Sequence, residues 1–216
     1  MFSSSKKGKK TPAKVAEFDA TATEALFDTF VDDPDDPDVL SMEGIGSLCE
    51  KLDIDPASDV RVLVLLWKLG ATSKPGHIKK TEFQAGCLRL KASSVEALAA
   101  LLPSMDPGFL DRSEFRDFYK FVFQFSREGT NKTIEKEIIV ALMPIVLDMN
   151  RAPHLDKFLQ FLNAGGAGEH ARITMDQWDS FLQFNLHVQA DLSNFEDDGA
   201  WPLLLDQYVE WRKATA

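Results

Sequence analysis

Apolar residues recur every three or four positions along most of the chain, and polar clusters holding proline or glycine separate the runs. That period predicts a succession of amphipathic helices. Ala25 to Val31 is the first run, and it stops at Asp32-Asp-Pro-Asp-Asp-Pro-Asp38, where Pro34 and Pro37 break a helix. Ser41, a good N-cap, opens a helix with Met42, Ile45, Leu48, Cys49 and Leu52 on one face. Val60 to Leu69 is apolar nearly all round. Its β-branched content is compatible with a buried strand, but its length and neighbours favour a central core helix. Ala71 to Gly76 reads as a loop, and Lys80 to Leu90 as the next helix. Ser93-Ser-Val-Glu96 fits a capping box that opens a helix over Val95 to Leu102.

The second half continues the pattern. Phe115, Phe118, Tyr119, Val122 and Phe125 form an aromatic stripe read as core. Thr133 to Leu147 predicts a helix with Ile134, Ile138, Leu142, Ile145 and Val146 on one face, kinked or ended near Pro144. A short helix spans Leu155 to Leu162, and Asn163 to Gly168 is a flexible turn. Thr174-Met-Asp-Gln177 is a second capping box, ahead of Trp178, Phe181, Leu182 and Leu186 facing inward. Trp201-Pro202 starts the last helix, with proline in the first turn, where its missing N–H is harmless, and Leu203 to Leu205 are expected to anchor it. No convincing strand alternation and no exact repeat is found, so the fold class expected is all-α. Residues 1–20 are poor in large apolar side chains and rich in Ser, Lys and Thr. They are expected to form a disordered tail ahead of one folded domain over 21–216.

Charge sharpens this picture. The 216 residues carry a net charge of -10. Lys6, Lys7, Lys9, Lys10 and Lys14 stand in a segment without acids, so subtraction leaves -15 for the remainder. An acidic body speaks against nucleic acid as a partner and for basic protein surfaces. The lysine cluster has two readings, a nuclear-localisation signal or a solvated tail. No stretch is long and apolar enough for a membrane span, and the N-terminus lacks the apolar centre of a secretion signal. Cys49 and Cys87 sit among apolar residues and read as buried, reduced thiols. A nuclear or cytoplasmic location is expected on that basis.

Candidate chemistry is sparse. His77, His154, His170 and His187 form no pair at metal-ligand spacing, and neither cysteine joins them, so neither metal nor cofactor is expected. No phosphate loop or nucleophile motif occurs. The acids of 32–38 have the feel of a calcium loop but carry two prolines and no central glycine, so a calcium-responsive helical regulator is only the alternative. Asp176, Asp191, Glu196, Asp197, Asp198, Asp206 and Glu210 form a late acidic group. It reads as a solvated face or as a docking surface for Lys and Arg. Paired carboxylates of a hydrolase would need a common cleft. Asp176 falls in a helix's first turn, where a carboxylate also serves unpaired N–H groups.

Four segments carry a family resemblance: Asp55-Pro-Ala-Ser58, Leu66-Trp-Lys68, Phe115-Arg-Asp-Phe-Tyr-Lys-Phe121, and above all Asp191-Leu-Ser-Asn-Phe-Glu-Asp-Asp-Gly-Ala-Trp-Pro-Leu-Leu-Leu-Asp206. They resemble the potentiating-neddylation domain of the defective-in-cullin-neddylation family, over roughly residues 25–212. No segment resembles the ubiquitin-associated domain that some members carry. The resemblance implies a compact domain of EF-hand-like helix-loop-helix units without calcium sites. It implies a monomeric, non-catalytic scaffold that binds a cullin's C-terminal winged-helix region and the N-acetylated helix of the conjugating enzyme, and so promotes transfer by proximity.

Two sites come with it. The family's cullin-binding Asp–Ala–Asp set falls on Asp176, Ala200 and Asp206. The pocket for the acetylated methionine falls on Ile45, Pro56, Val62, Leu65, Leu66, Leu69, Ile78, Phe125, Ile138, Leu142 and Ile145. Leu66 stands where alanine is familiar, Leu69 where phenylalanine is, Leu142 where tyrosine is, and Gly76 where a cysteine is. Taken singly, each pocket residue is equally well explained by ordinary core packing.

Overall fold

A computed structural model describes residues 19–168 and 171–215. The lysine-rich cluster and His170 lie outside the described residues. Ten helices run through the described chain: α1 (Ala20–Asp28), α2 (Met42–Lys51), α3 (Val60–Leu69), α4 (Lys80–Leu90), α5 (Val95–Leu101), α6 (Arg112–Phe125), α7 (Lys136–Val146), α8 (Leu155–Asn163), α9 (Met175–His187) and α10 (Leu203–Ala214). The domain is therefore mostly helical, as expected. It also holds four short strands that the sequence did not reveal: β1 (Val39–Leu40), β2 (Ile78–Lys79), β3 (Thr133–Glu135) and β4 (Arg172–Thr174). Two or three residues are too few to display a period-two pattern.

The strands organise the helices. β1 pairs antiparallel with β2 in the register Val39↔Lys79 and Leu40↔Ile78. β3 pairs antiparallel with β4 in the register Thr133↔Thr174, Ile134↔Ile173 and Glu135↔Arg172. Each half of the molecule is thus two helix–loop–strand–helix units clipped together through their strands. Between the halves runs α5, followed by two single 3-10 turns at Leu102–Ser104 and Pro107–Phe109. α10 packs across α8 and α9.

Local signals explain the best-placed boundaries. Asp59 caps α3 by accepting from the Arg61 N–H at 2.9 Å. Gly70 ends α3 at φ 82°, a left-handed conformation that costs glycine little. α3 lies against α4 so closely that a side chain at Gly86 would start 2.4 Å from the Leu69 Cα. Only glycine permits that approach. The core is continuous through both halves, and Trp67 meets Phe118 across the seam at 5.8 Å. Tyr119 stacks on Trp178 at 4.3 Å, and the Trp178 indole N–H donates to the Tyr119 carbonyl at 2.9 Å. Burying each such ring contributes roughly 1.5–3 kcal/mol.

Several expectations are corrected. α1 begins at Ala20 because Asp19 caps it, accepting from Thr21 and Ala22 N–H groups. It ends before Val31 because Asp32 binds both the backbone N–H and the hydroxyl of Ser41, which turns the chain into β1. The cap of α5 is Ser94, whose hydroxyl accepts from Ala97 N–H at 3.2 Å, so the box expected at Ser93 and Glu96 does not form. Thr133–Glu135 is extended, which shifts the helical phase that follows. The buried face of α7 is Ile139, Leu142, Met143 and Val146, and Ile138 is exposed. Met42 and Leu186 also face solvent rather than the core. Pro202 is the N-cap of α10 rather than its first helical residue, and its carbonyl accepts from Leu205 N–H at 2.8 Å.

One buried polar knot holds α10 in place. His154 is fully buried, and its backbone N–H donates to Asn185 Oδ1 at 2.8 Å. Its Nε2 lies 3.2 Å from the Val188 carbonyl, and its Nδ1 3.1 Å from the Tyr208 hydroxyl. A carbonyl can only accept, so Nε2 carries the proton and Nδ1 accepts from Tyr208. Burial, above all, holds the imidazole below its ordinary pKa. The unfolded chain therefore takes up this proton first as pH falls through about 6.5, and the fold loses stability there.

Candidate functional site

The first candidate surface is acidic and sits at the end of the chain. Trp201 packs edge-on against Phe184 at 5.2 Å, which fixes the segment that leads into α10. Ala200 is exposed, and its N–H donates to Asp198 Oδ1 at 3.0 Å. Asp206 is half-buried in the first turn of α10, where its charge complements the helix dipole. Its carboxyl nevertheless lies above the usual carboxylate range. Partial burial is the main cause, followed by the negative charges of Asp197, Glu210 and Asp198. A half-buried acid whose charged form is disfavoured, first by burial and then by like charges, gains from a cation placed beside it.

Leu203 was expected to help anchor α10 with Leu204 and Leu205. The latter two are buried, whereas Leu203 is 70% exposed. Three positions before Asp206, it shares that residue's face of the helix. Apolar character alone did not reveal this; only the spacing to Asp206 would have.

Asp176 lies apart from that pair. It is exposed in the first turn of α9, behind the Thr174–Gln177 capping box, in which Thr174 and Gln177 exchange hydrogen bonds of 3.1 and 2.9 Å. It lines a cavity of about 830 Å³ between α6, the 71–75 loop and α9, beside Lys74, Lys120 and Arg127. α10 contributes nothing to this cavity, so it does not bring Asp176 and Asp206 to one cleft. Among the described residues, no hydrogen bond or ion pair joins Asp176 to Ala200 or Asp206.

The second candidate surface is an apolar hollow of about 320 Å³ where the two halves meet. Of the residues to which the resemblance assigns a pocket, Pro56, Phe125, Leu142 and Ile145 line this hollow. Met42 at the start of α2, Ala57, Asp59, Leu63 of α3, Gly76, Ser126 and Arg127 complete it; Gly76 falls where the resemblance places a pocket cysteine, and the apolar pattern assigns Met42 to a core face instead. The Gly76 N–H donates to the Phe125 carbonyl at 2.8 Å, which ties the loop to the end of α6. A side chain at Gly76 would meet Met42 at an ordinary 3.6 Å, but its φ of 67° strains any residue with a Cβ.

The remaining expected pocket residues do not line the hollow. Ile45, Val62, Leu65, Leu66, Leu69 and Ile78 are buried in the core. Ile138 lies one turn before Leu142 on the same stripe of α7 and is 39% exposed. The stripe Ile138, Leu142, Ile145 therefore leads from solvent into the hollow.

Neither thiol is a nucleophile at neutral pH. Burial pushes Cys49 up to about 11 and Cys87 up to about 12. Two acids of the 32–38 loop are engaged locally: Asp32 holds Ser41, and Asp33 accepts from Asp35 N–H at 2.9 Å. Among the described residues, no group of three His, Cys, Asp or Glu is arranged to hold a metal.

A mostly helical domain with an acidic face and an apolar hollow presents two surfaces suited to docking. Comparison with known proteins narrows this reading. The family model described as "Cullin binding" matches residues 97–211, just over half of the chain and all of the acidic face. DCN1-like protein 3 of Homo sapiens is 35% identical over 212 residues, which covers 97% of this chain and 68% of that protein. DCN1-like protein 5 of Rattus norvegicus is 32% identical over 176 residues, covering 82% of this chain and 72% of that protein. The chain belongs to the cullin-binding, DCN1-like family, and its role lies in cullin neddylation.

Proposed function

We propose that this protein is a non-catalytic scaffold that holds a cullin and the modifier-conjugating enzyme together. The acidic face receives basic side chains of the cullin's winged-helix region. The observation that carries this is Asp206, a half-buried carboxylate among like charges, beside the solvent-facing Leu203. A cation placed there relieves repulsion, and Leu203 adds an apolar contact at the centre of the patch. The small Ala200 allows close approach. Asp176 extends the footprint along α9.

The apolar hollow takes the acetylated N-terminal methionine of the conjugating enzyme's helix. Acetylation removes an ammonium charge that would be costly to bury among Met42, Phe125, Leu142 and Ile145. The helix itself lies along the exposed Ile138 stripe of α7. The clipped helix–loop–strand–helix pairs are read as EF-hand-like units without calcium sites; with Asp32 spent on Ser41, nothing favours the calcium-responsive alternative.

The gain in rate is positional, because two bound partners react as one complex. A reconstituted neddylation assay tests the reading. Adding the protein should accelerate transfer to the cullin, more with an acetylated than an unacetylated conjugating enzyme. Asp206→Lys should remove the acceleration while the variant stays folded. An unchanged rate with wild-type protein would sink the proposal.

A further inference from the structure

A third concave surface lies outside both proposed docking sites. It is a hollow of about 390 Å³ between the start of α6, the connection from α7 to α8 and the C-terminal end of α9. Arg112, Arg116 and Arg151 surround it, and no carboxylate lines it. Its floor is apolar, formed by Phe115, Leu182 and the 43%-exposed Leu186. On a chain whose net charge is -10, three arginines around one hollow stand against the overall field.

The arginines differ in what they already do. Arg151 is locked in place: its guanidinium stacks 4.1 Å over the Phe115 ring and donates to the Pro107 and Leu110 carbonyls, both at 3.0 Å. Those contacts spend hydrogen bonds but leave its charge uncompensated. Arg116 pairs with Asp179 at 2.9 Å. Arg112 makes no ion pair or side-chain hydrogen bond among the described residues. Two acids near Arg112 and Arg151 in sequence bind backbone groups rather than the guanidinium groups, while Asp117 stands beside Arg116. Asp111 accepts from Ser113 and Glu114 N–H groups, and Asp148 from Asn150 and Arg151 N–H groups.

The segments next to the hollow carry a second signal. Phe109, 72% exposed, sits between the two residues whose carbonyls Arg151 holds. Met149, 48% exposed, precedes Asn150, another lining residue. Of the three exposed apolar side chains Phe109, Met149 and Leu186, only Leu186 lines the hollow itself; Phe109 and Met149 belong to the chain segments that hold Arg151 and lead into Asn150. Exposed apolar side chains beside unneutralised guanidinium groups match a ligand that is anionic and apolar at once.

We propose that this hollow docks an acidic peptide segment of a partner protein, one that carries a leucine, methionine or phenylalanine between Asp and Glu residues. The apolar side chain enters between Phe115 and Leu186. The flanking carboxylates meet Arg112 and Arg151, whose planar forks suit carboxylates. This surface is separate from the acidic face, so a cullin and the acidic segment bind at the same time.

The test uses the full chain and a labelled ten-residue peptide with one leucine flanked by Glu and Asp. Micromolar, salt-sensitive binding is expected. Arg112→Glu should weaken it at least tenfold with an unchanged melting temperature, and Leu186→Ser should also weaken it. A peptide with serine in place of the leucine should bind at least fivefold less well. Equal binding by Arg112→Glu, or by the serine peptide, overturns the proposal. So does binding only to anionic phosphatidylserine vesicles and not to the peptide, which would make the hollow a lipid site.

Discussion

The acidic face and the apolar hollow are built in opposite ways. At the acidic face, Ala200 and Leu203 are exposed and Asp206 is half-buried, and none of them is needed to fill the core. In the hollow, Phe125 and Leu142 are 5% and 9% exposed, so the same atoms that would meet a ligand also close the core. Charge can be displayed on a helix without structural consequence. Apolar complementarity has to be borrowed from the interior. Binding and stability should therefore separate at the first surface and travel together at the second.

The strongest challenge to that contrast is Phe125→Ala. Loss of a buried ring that stacks on Phe121 at 5.4 Å should cost roughly 3–5 kcal/mol of folding stability, together with loss of the conjugating-enzyme peptide. Chemical denaturation and peptide titration on one sample check both. Intact stability with lost peptide binding would break the contrast.

Asp206→Lys is the opposite case. It should weaken a cullin winged-helix fragment by about 2–5 kcal/mol, and calorimetry of wild type and variant measures this. Its melting temperature should hold or rise, since a negative charge leaves a crowded acidic group. A marked fall in melting temperature would mean that this face, too, is structural.

Leu203→Ser sharpens the same point at smaller scale. A side chain 70% exposed contributes little to folding, so its removal should leave denaturation unchanged and weaken cullin binding by about 1 kcal/mol.

The smallest effect is that of pH. The folded-state pKa of Asp206 is raised, mainly by burial and then by its acidic neighbours. Its charged form is the one the fold disfavours, so this group contributes stability as pH falls through the raised value. Cullin binding needs the charged form and should weaken by less than tenfold between pH 7 and 5. Fluorescence anisotropy across that range, with Asp206→Asn as the flat reference, checks the sign.

The same contrast decides what the sequence disclosed. α3 and α4 occupy the spans that the apolar pattern marks, Val60–Leu69 and Lys80–Leu90, and at α3 the local signals Asp59 and Gly70 hold the ends. α7 was misjudged at its start because Ile134 belongs to a strand whose partner, Ile173, lies far along the chain. No local period encodes that pairing. Of the late acids, Asp206 is singled out only by the family resemblance; no local pattern separates it from Asp197, Asp198 or Glu210, and its half-buried place in the first turn of α10 is visible only in the fold. The apolar pocket was not legible either, because Leu65 and Leu142 carry the same pattern yet one is core and the other a wall of the hollow. Leu203 was taken for an anchor because sequence cannot tell which of three consecutive leucines points outward.

The position of the hollow has one more consequence. Met42 and Gly76 belong to the first clipped pair of units, Leu142 and Ile145 to the second, and the Gly76–Phe125 hydrogen bond bridges the two. A helix seated there would act as a rivet across the joint. Its binding energy would be shared by both halves, which would then open less often and unfold as one body. Occupancy by one partner would thereby stiffen the platform that presents α10 to the other.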